Sequence, residues 1–225
     1  MPKDWTLLEV VAAVRSEIGE APDTYVNRDE IVRWINMGLQ DFCSRTRLLR
    51  TSAVSNSVGG VKKYAVPPDF GIVEKVFYDG DELEPLDDHE LLFDMKQSNL
   101  DAPGTPENYY MRGTAGSVVS LFLHPVPAGV APIEMWYVSV PDEMATDEKI
   151  ITQVIPQEYI MAIIHYAAER GRMKQRMLAD AKAQRAFYEE QVARAQASRG
   201  QWQLDRPQFV KDELTWSHKA TRRTW

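Results

Sequence analysis

Residues 156–198 read PQEYIMAIIHYAAERGRMKQRMLADAKAQRAFYEEQVARAQAS, with no proline after the first position and many Ala, Gln, Glu, Arg and Met residues. Pro156 suits a first helical turn, where its missing N–H is no loss, and Gly200 follows where a helix is expected to end. The stretch therefore predicts one long helix, a rod of roughly 65 Å. Ile160, Ile164, Ala167, Gly171, Leu178, Ala181, Tyr188, Val192 and Ala195 recur mostly at spacings of three and four, forming an apolar seam that Ile163, Ala168 and Met177 widen. A rod of that length exceeds what one small core covers, so part of the seam is expected to meet another surface. Ala167, Ala168 and Gly171 leave room for a second helix to come close.

Working outward toward the N-terminus, residues 141–155 read as a connector, and residues 49–140 change period. Short β-branched or aromatic runs at 51–57, 63–66, 72–78, 117–124 and 132–140 are punctuated by Gly59-Gly60, Pro67-Pro68 and PVPAG, which predicts strands joined by turns. Asp79-Gly80 is a hairpin signal leading into 82–86, residues 87–99 suggest a short helix, and APGTPENYY reads as a proline-broken loop. Before the strands, Leu7, Val11, Val14 and Ile18 define an amphipathic helix closed by Gly19. A second helix opens at the Asn27 to Glu30 capping box and runs to about Thr46, with Ile31, Trp34, Ile35, Gly38, Leu39 and Phe42 on its face. The expected fold is α+β. Two N-terminal helices (1–48) and one long C-terminal helix (156–199) form a bundle around an inserted small antiparallel β domain (49–140).

Beyond the helix, residues 200–225 have little periodicity yet hold Trp202, Trp216 and Trp225, three of the chain's six tryptophans, with Phe209 and Leu214. Disordered tails are poor in such residues, and aromatics spaced along a polar segment fit separate pockets on another surface. This segment is expected to be an extended partner-binding arm. The chain as a whole has 225 residues, 44% hydrophobic, and a formal charge of -7, which argues against a protein that coats nucleic acid by neutralising phosphates. Basic residues gather on the long helix, where Arg172, Arg176, Arg185 and Arg194 are candidates for meeting acidic surface on a neighbouring subunit. No window approaches a membrane span, and Asp4 and Glu9 stand where a secretion signal would be apolar, so assembly in the cytoplasm without membrane contact is expected.

Catalytic and metal readings are weak. Pro68-Asp69 followed by Asp94-Met95-Lys96 has the bare form of a metal-dependent nuclease site, but Asp94 and Lys96 fall in a helix-like stretch and Asp69 suits a turn. The acidic run 79–90 lacks the ligands of a calcium loop, and Gly113 to Ser117 lacks the lysine of a phosphate loop. His89, His124, His165 and His218 are scattered, and Cys43 is alone, which leaves no thiolate metal cage and favours a buried, inert thiol. No catalytic residue, metal site or cofactor is expected.

The run Ile31-Val32-Arg33-Trp34-Ile35-Asn36-Met37-Gly38-Leu39-Gln40-Asp41-Phe42 and the strand exit Tyr64-Ala65-Val66-Pro67-Pro68-Asp69-Phe70 resemble the head-to-tail adaptors (connector proteins) of tailed bacteriophages. Gly104-Thr105-Pro106-Glu107-Asn108-Tyr109-Tyr110, Leu121-Phe122-Leu123-His124-Pro125-Val126-Pro127 and Ile155-Pro156-Gln157-Glu158 continue the likeness in the same order. The resemblance implies a non-enzymatic virion protein at the head-tail junction. Such adaptors form a ring, usually of twelve copies, that binds the portal protein, presents a platform to tail or nozzle proteins, and extends a channel for double-stranded DNA. It also implies that the C-terminal arm reaches the portal. A metal-dependent nuclease, and a neck or tail-tube ring protein of another type, are the alternatives.

Overall fold

A computed structural model describes residues 4–19, 25–86, 103–113 and 119–204, with the backbone alone over 199–204. α1 (Leu7–Ile18) starts at a capping box in which Thr6 and Glu9 satisfy each other's backbone N–H groups, and stops at Gly19, whose φ of 67° only glycine adopts without strain. α2 (Arg28–Thr46) repeats the start with Asn27 and Glu30, as the spacing predicts. Its buried face holds Ile31, Ile35, Gly38, Leu39, Phe42 and Cys43; Trp34 packs at the margin.

Among the described residues the strands that follow are β1 (Arg50–Asn56), β2 (Lys63–Ala65), β3 (Phe70–Tyr78), β4 (Asp81–Glu82), β5 (Glu84–Pro85), β6 (Pro103–Gly104), β7 (Asn108–Arg112), β8 (Ser120–His124), β9 (Val126–Pro127) and β10 (Pro132–Ser139). They make one sheet in the order β1-β10-β3-β4, a second in the order β2-β8-β7-β5, and a two-stranded pair β6-β9. Asp79 and Gly80, both at positive φ, turn β3 into β4 as a two-residue hairpin. APGTPENYY is not simply a loop: its last residues enter β7, antiparallel to β8, because Tyr109 faces inward opposite Leu123. The expected helix at 87–99 lies outside the described residues. Val76, Tyr78, Ile133, Met135 and Tyr137 of the first sheet meet Tyr109, Leu121 and Leu123 of the second in a core of their own.

The predicted single rod is two helices. After a short 3-10 turn at Gln157–Tyr159, α3 (Ile160–Lys174) ends, Arg176 takes a left-handed φ of 62°, and α4 (Leu178–Leu204) runs back along α3. α4 continues through Gly200, so that glycine is no terminus. Folding back solves the burial problem the long seam posed: Ala167, Ala168 and Gly171 on α3 admit a partner, and Tyr188, Val192 and Ala195 on α4 join the same core. Gly171 lies so close to α1 that an added Cβ would sit 2.6 Å from Ile18 Cγ2. α1, α2, α3 and α4 therefore enclose one helical core, with Met144, Ile151 and Ile155 of the connector inside it.

Candidate assembly surfaces

The polar chemistry of the bundle is concentrated where α2, α3 and α4 meet. Tyr188 is fully buried, edge-on to Phe42 and Tyr166, with its hydroxyl donating to Asp41. Burial first, and that bond second, push its pKa upward. One turn of α2 further on, Arg45 grips Glu189 with both guanidinium nitrogens, at 3.0 and 2.5 Å. Arg185 joins Glu189 at 2.6 Å and reaches the buried Glu169 at 3.5 Å. The Arg45 hydrogen bond holds the Glu189 carboxyl below its ordinary range. At the opposite end of the bundle, Lys174 pairs with Glu30 at 2.7 Å and likewise lowers its pKa.

These contacts locate the four arginines expected at a subunit boundary. Arg172 donates to Glu17 O at 2.8 Å and sits against Gln175 and Met177, and Arg185 is held by Glu169 and Glu189, so both are engaged within the chain. Arg176, at the hairpin turn, and Arg194, on the outer side of α4, are exposed. Trp202 falls in the last turns of α4, with its side chain outside the described residues, as are Phe209, Leu214, Trp216 and Trp225 entirely.

Asn36 is a residue whose role the sequence did not disclose. Its side chain bonds both backbone groups of Met144, Nδ2 to the carbonyl at 3.1 Å and Oδ1 from the N–H at 2.8 Å, pinning the connector to α2. An asparagine on a helix carries no local sign of such a distant partner. The residues weighed for chemistry are structural where they are described. Asp69 accepts from the Tyr137 hydroxyl at 3.0 Å in the turn before β3, whereas Asp94 and Lys96 lie outside the described residues. Cys43 is buried, which pushes its thiol to about 12. His165 Nδ1 meets Gln184 Oε1 at 2.6 Å and its ring stacks on Phe187, and His124 ends β8. His89 and His218 are outside the described residues. Among the described residues no group of His, Cys, Asp and Glu is gathered for a metal, and no helix is long and apolar enough to cross a membrane.

Met173, Met177 and Leu178 are exposed around the hairpin turn, Phe187 on α4 and Met161 near the start of α3. A helical bundle closed by internal ion pairs carries a small β domain of two sheets. A family model described as SU10 adaptor protein matches residues 5–211, and the chain belongs to that family of bacteriophage adaptors. No curated protein matches it.

Proposed function

We propose that this chain forms a ring beneath the portal, and that the ring extends the DNA channel and receives the tail. The observation that carries the reading is the family match over 5–211, which includes both halves of the fold and runs past the end of α4 at Leu204. A closed ring needs two different faces on each subunit. The exposed apolar side chains of the α3–α4 hairpin supply one candidate face, with Arg176 and Arg194 beside it to meet acidic groups of the next copy. Twelve copies is the number the resemblance to head-to-tail adaptors implies. The net charge of -7 suits a channel through which double-stranded DNA slides without sequence-specific binding, because negative walls repel phosphates. In this reading the arm anchors the ring to the portal through a subset of Trp202, Phe209, Leu214, Trp216 and Trp225. Its place is the head-tail junction of the virion, with tail or nozzle proteins on the opposite side and no enzymatic step.

The test is a tagged pull-down from infected-cell lysate followed by native mass spectrometry. The expected result is a portal ring carrying about one copy of this chain per portal subunit, lost when residues 205–225 are removed. Recovery of a discrete monomer or dimer with no large partner would overturn the portal reading.

A further inference from the structure

The first sheet is bounded on one side by β1, a long edge that the fold leaves open. All seven residues of β1 pair with β10 in unbroken register, from Arg50 opposite Val138 to Asn56 opposite Pro132. Two bonds in phase with that ladder fix which groups turn inward: Ser57 N–H donates to Ala131 O and Ser139 N–H to Leu49 O, each at 2.8 Å. Because an antiparallel ladder alternates, Thr51, Ala53 and Ser55 bond to β10, and Ser52, Val54 and Asn56 direct their N–H and C=O groups to the other side. Every residue of β1 except Ala53 is exposed, and among the described residues no strand pairs along that side. β1 has no proline and no bulge, and its one charge is at its first residue, Arg50, so the devices that normally blunt an edge are missing.

Few strands match such an edge. Of the other strands at sheet margins among the described residues, β2 has three residues and β4, β5, β6 and β9 have two each. A seven-residue edge finds its equal in β1 of a second copy, and the sequence RTSAVSN suits that pairing. Placed antiparallel with Ala53 opposite Ala53, the two strands overlap along their whole length. Ser52 then faces Val54 on either side of the centre and Arg50 faces Asn56 at either end, so the outward groups meet and no like charges oppose each other. Arg50 N–H already donates to Leu48 O at 3.1 Å, which leaves the end bonds to run from Asn56 N–H to Arg50 O. The central alanines form a pair without hydrogen bonds, where Cα atoms approach to about 4.5 Å, a distance their small side chains accept. A slip of two residues either way gives up one bonded pair and sets Ser52 on Ser52 or Val54 on Val54. On the outer face Val54 is 67% exposed, and Trp136, opposite Ser52 on β10, is 38% exposed. The pairing puts Val54 of the second copy beside Ser52, on the same face as Trp136 and with the serine side chain alone between them, which removes apolar surface of both from water.

We propose that two copies of this chain join edge to edge through β1, antiparallel and with Ala53 opposite Ala53. A two-fold contact closes on itself and does not propagate a ring, so the pair is a form of the chain outside the ring, and its failure leaves the portal reading untouched. Oxidative cross-linking of the full chain tests the register. Cys43, the one native cysteine, is fully buried and does not compete. Ala53→Cys brings two thiols within disulfide reach across the central pair, whereas Ser55→Cys, on the same face of the same strand, leaves them about 14 Å apart. The first variant is expected to give a covalent dimer about ten-fold faster than the second. In the parent chain, hydrogen exchange at the amides of Ser52, Val54 and Asn56 should slow as protein concentration rises, while the amides of Thr51, Ala53 and Ser55, bonded to β10, exchange as before. Ser52→Pro removes an outward N–H from each copy without touching the β10 ladder and should abolish that slowing, with the unchanged inward amides as the control for folding. Equal cross-linking by the two cysteine variants, or outward amides that ignore concentration, would overturn the proposal. So would outward amides fully protected at the lowest concentration, which would place a segment of the same chain on the edge.

Discussion

The helical bundle and the pair of sheets are closed to different degrees. In the bundle, every helix contributes to one core, Tyr188 and Phe42 are fully buried, and charged side chains of three helices are paired across it. The sheets share a smaller core, and β1 leaves one edge unpaired among the described residues, with Val54, Ile72 and Trp136 exposed on the strands. The comparison is strongest at Tyr188, inside the helical frame. Tyr188→Ala empties a buried ring site and removes the hydroxyl that donates to Asp41, and should lower unfolding free energy by about 3–5 kcal/mol. Chemical denaturation reads this directly. A loss below about 1 kcal/mol would mean that α4 is not part of the frame.

A second break in the frame is expected at the connector. Asn36→Ala leaves both backbone groups of the buried Met144 without that side-chain partner, at a cost of about 1–3 kcal/mol. Because Met144 links the last strand to α3, the loss should appear with the unfolding of the helical core and not as a separate transition. Two resolved transitions, only the first of them sensitive to Asn36→Ala, would show that the connector belongs energetically to the sheets.

The end of α1 and the start of α2 were legible because their signals are local. Gly19 and the Asn27 to Glu30 box announce a stop and a start through backbone conformation and side-chain reach alone. The alternation in β3, β8 and β10 and the Asp79-Gly80 turn are equally local. The break between α3 and α4 is not. Gln175, Arg176 and Met177 include no Gly or Pro, and Gly171, Leu178, Ala181 and Tyr188 stay in phase across it, so a straight rod and a hairpin give the same periodicity. What decides between them is burial against α1 and α2: Leu178 ends up exposed and Tyr188 enclosed, an outcome of tertiary packing. The candidate surface divides the same way. That basic residues gather on this segment is visible in the sequence, but that Arg185 turns inward to Glu169 depends on the hairpin.

The ion pairs that brace the frame give it a pH signature. Glu189 and Glu30 have carboxyls lowered from 4.5, mainly by hydrogen bonds from Arg45 and Lys174. A depressed carboxyl stabilises the folded state fully above its unfolded pKa, and that contribution is lost as pH falls through the folded value. Thermal stability of the parent chain should therefore drop as pH is lowered below about 4.5. Glu189→Gln should flatten part of that drop, and Glu189→Gln with Glu30→Gln should flatten more. The effect is smaller than that at Asn36 because both carboxylates are partly solvated. Parallel pH profiles for the parent and the double variant would remove these pairs from the frame.

The smallest effect is expected on the sheets, at Val54. Its side chain is 67% exposed on β1, opposite Glu134, and its backbone belongs to the unpaired side of the strand. Val54→Thr keeps β-branching and strand propensity and exchanges for a hydroxyl a methyl that contributes little to either core, so the unfolding free energy should change by no more than about 0.5 kcal/mol. The same exchange of Val for Thr at Val10, fully buried on α1, places a hydroxyl in the helical core and should cost several times as much. The two substitutions have identical chemistry, and the ratio of their costs measures how differently the two regions are closed. A ratio near one would mean that Val54 is covered in the full chain, and the distinction between a finished frame and an open edge would then fail at the residue where it is drawn most sharply.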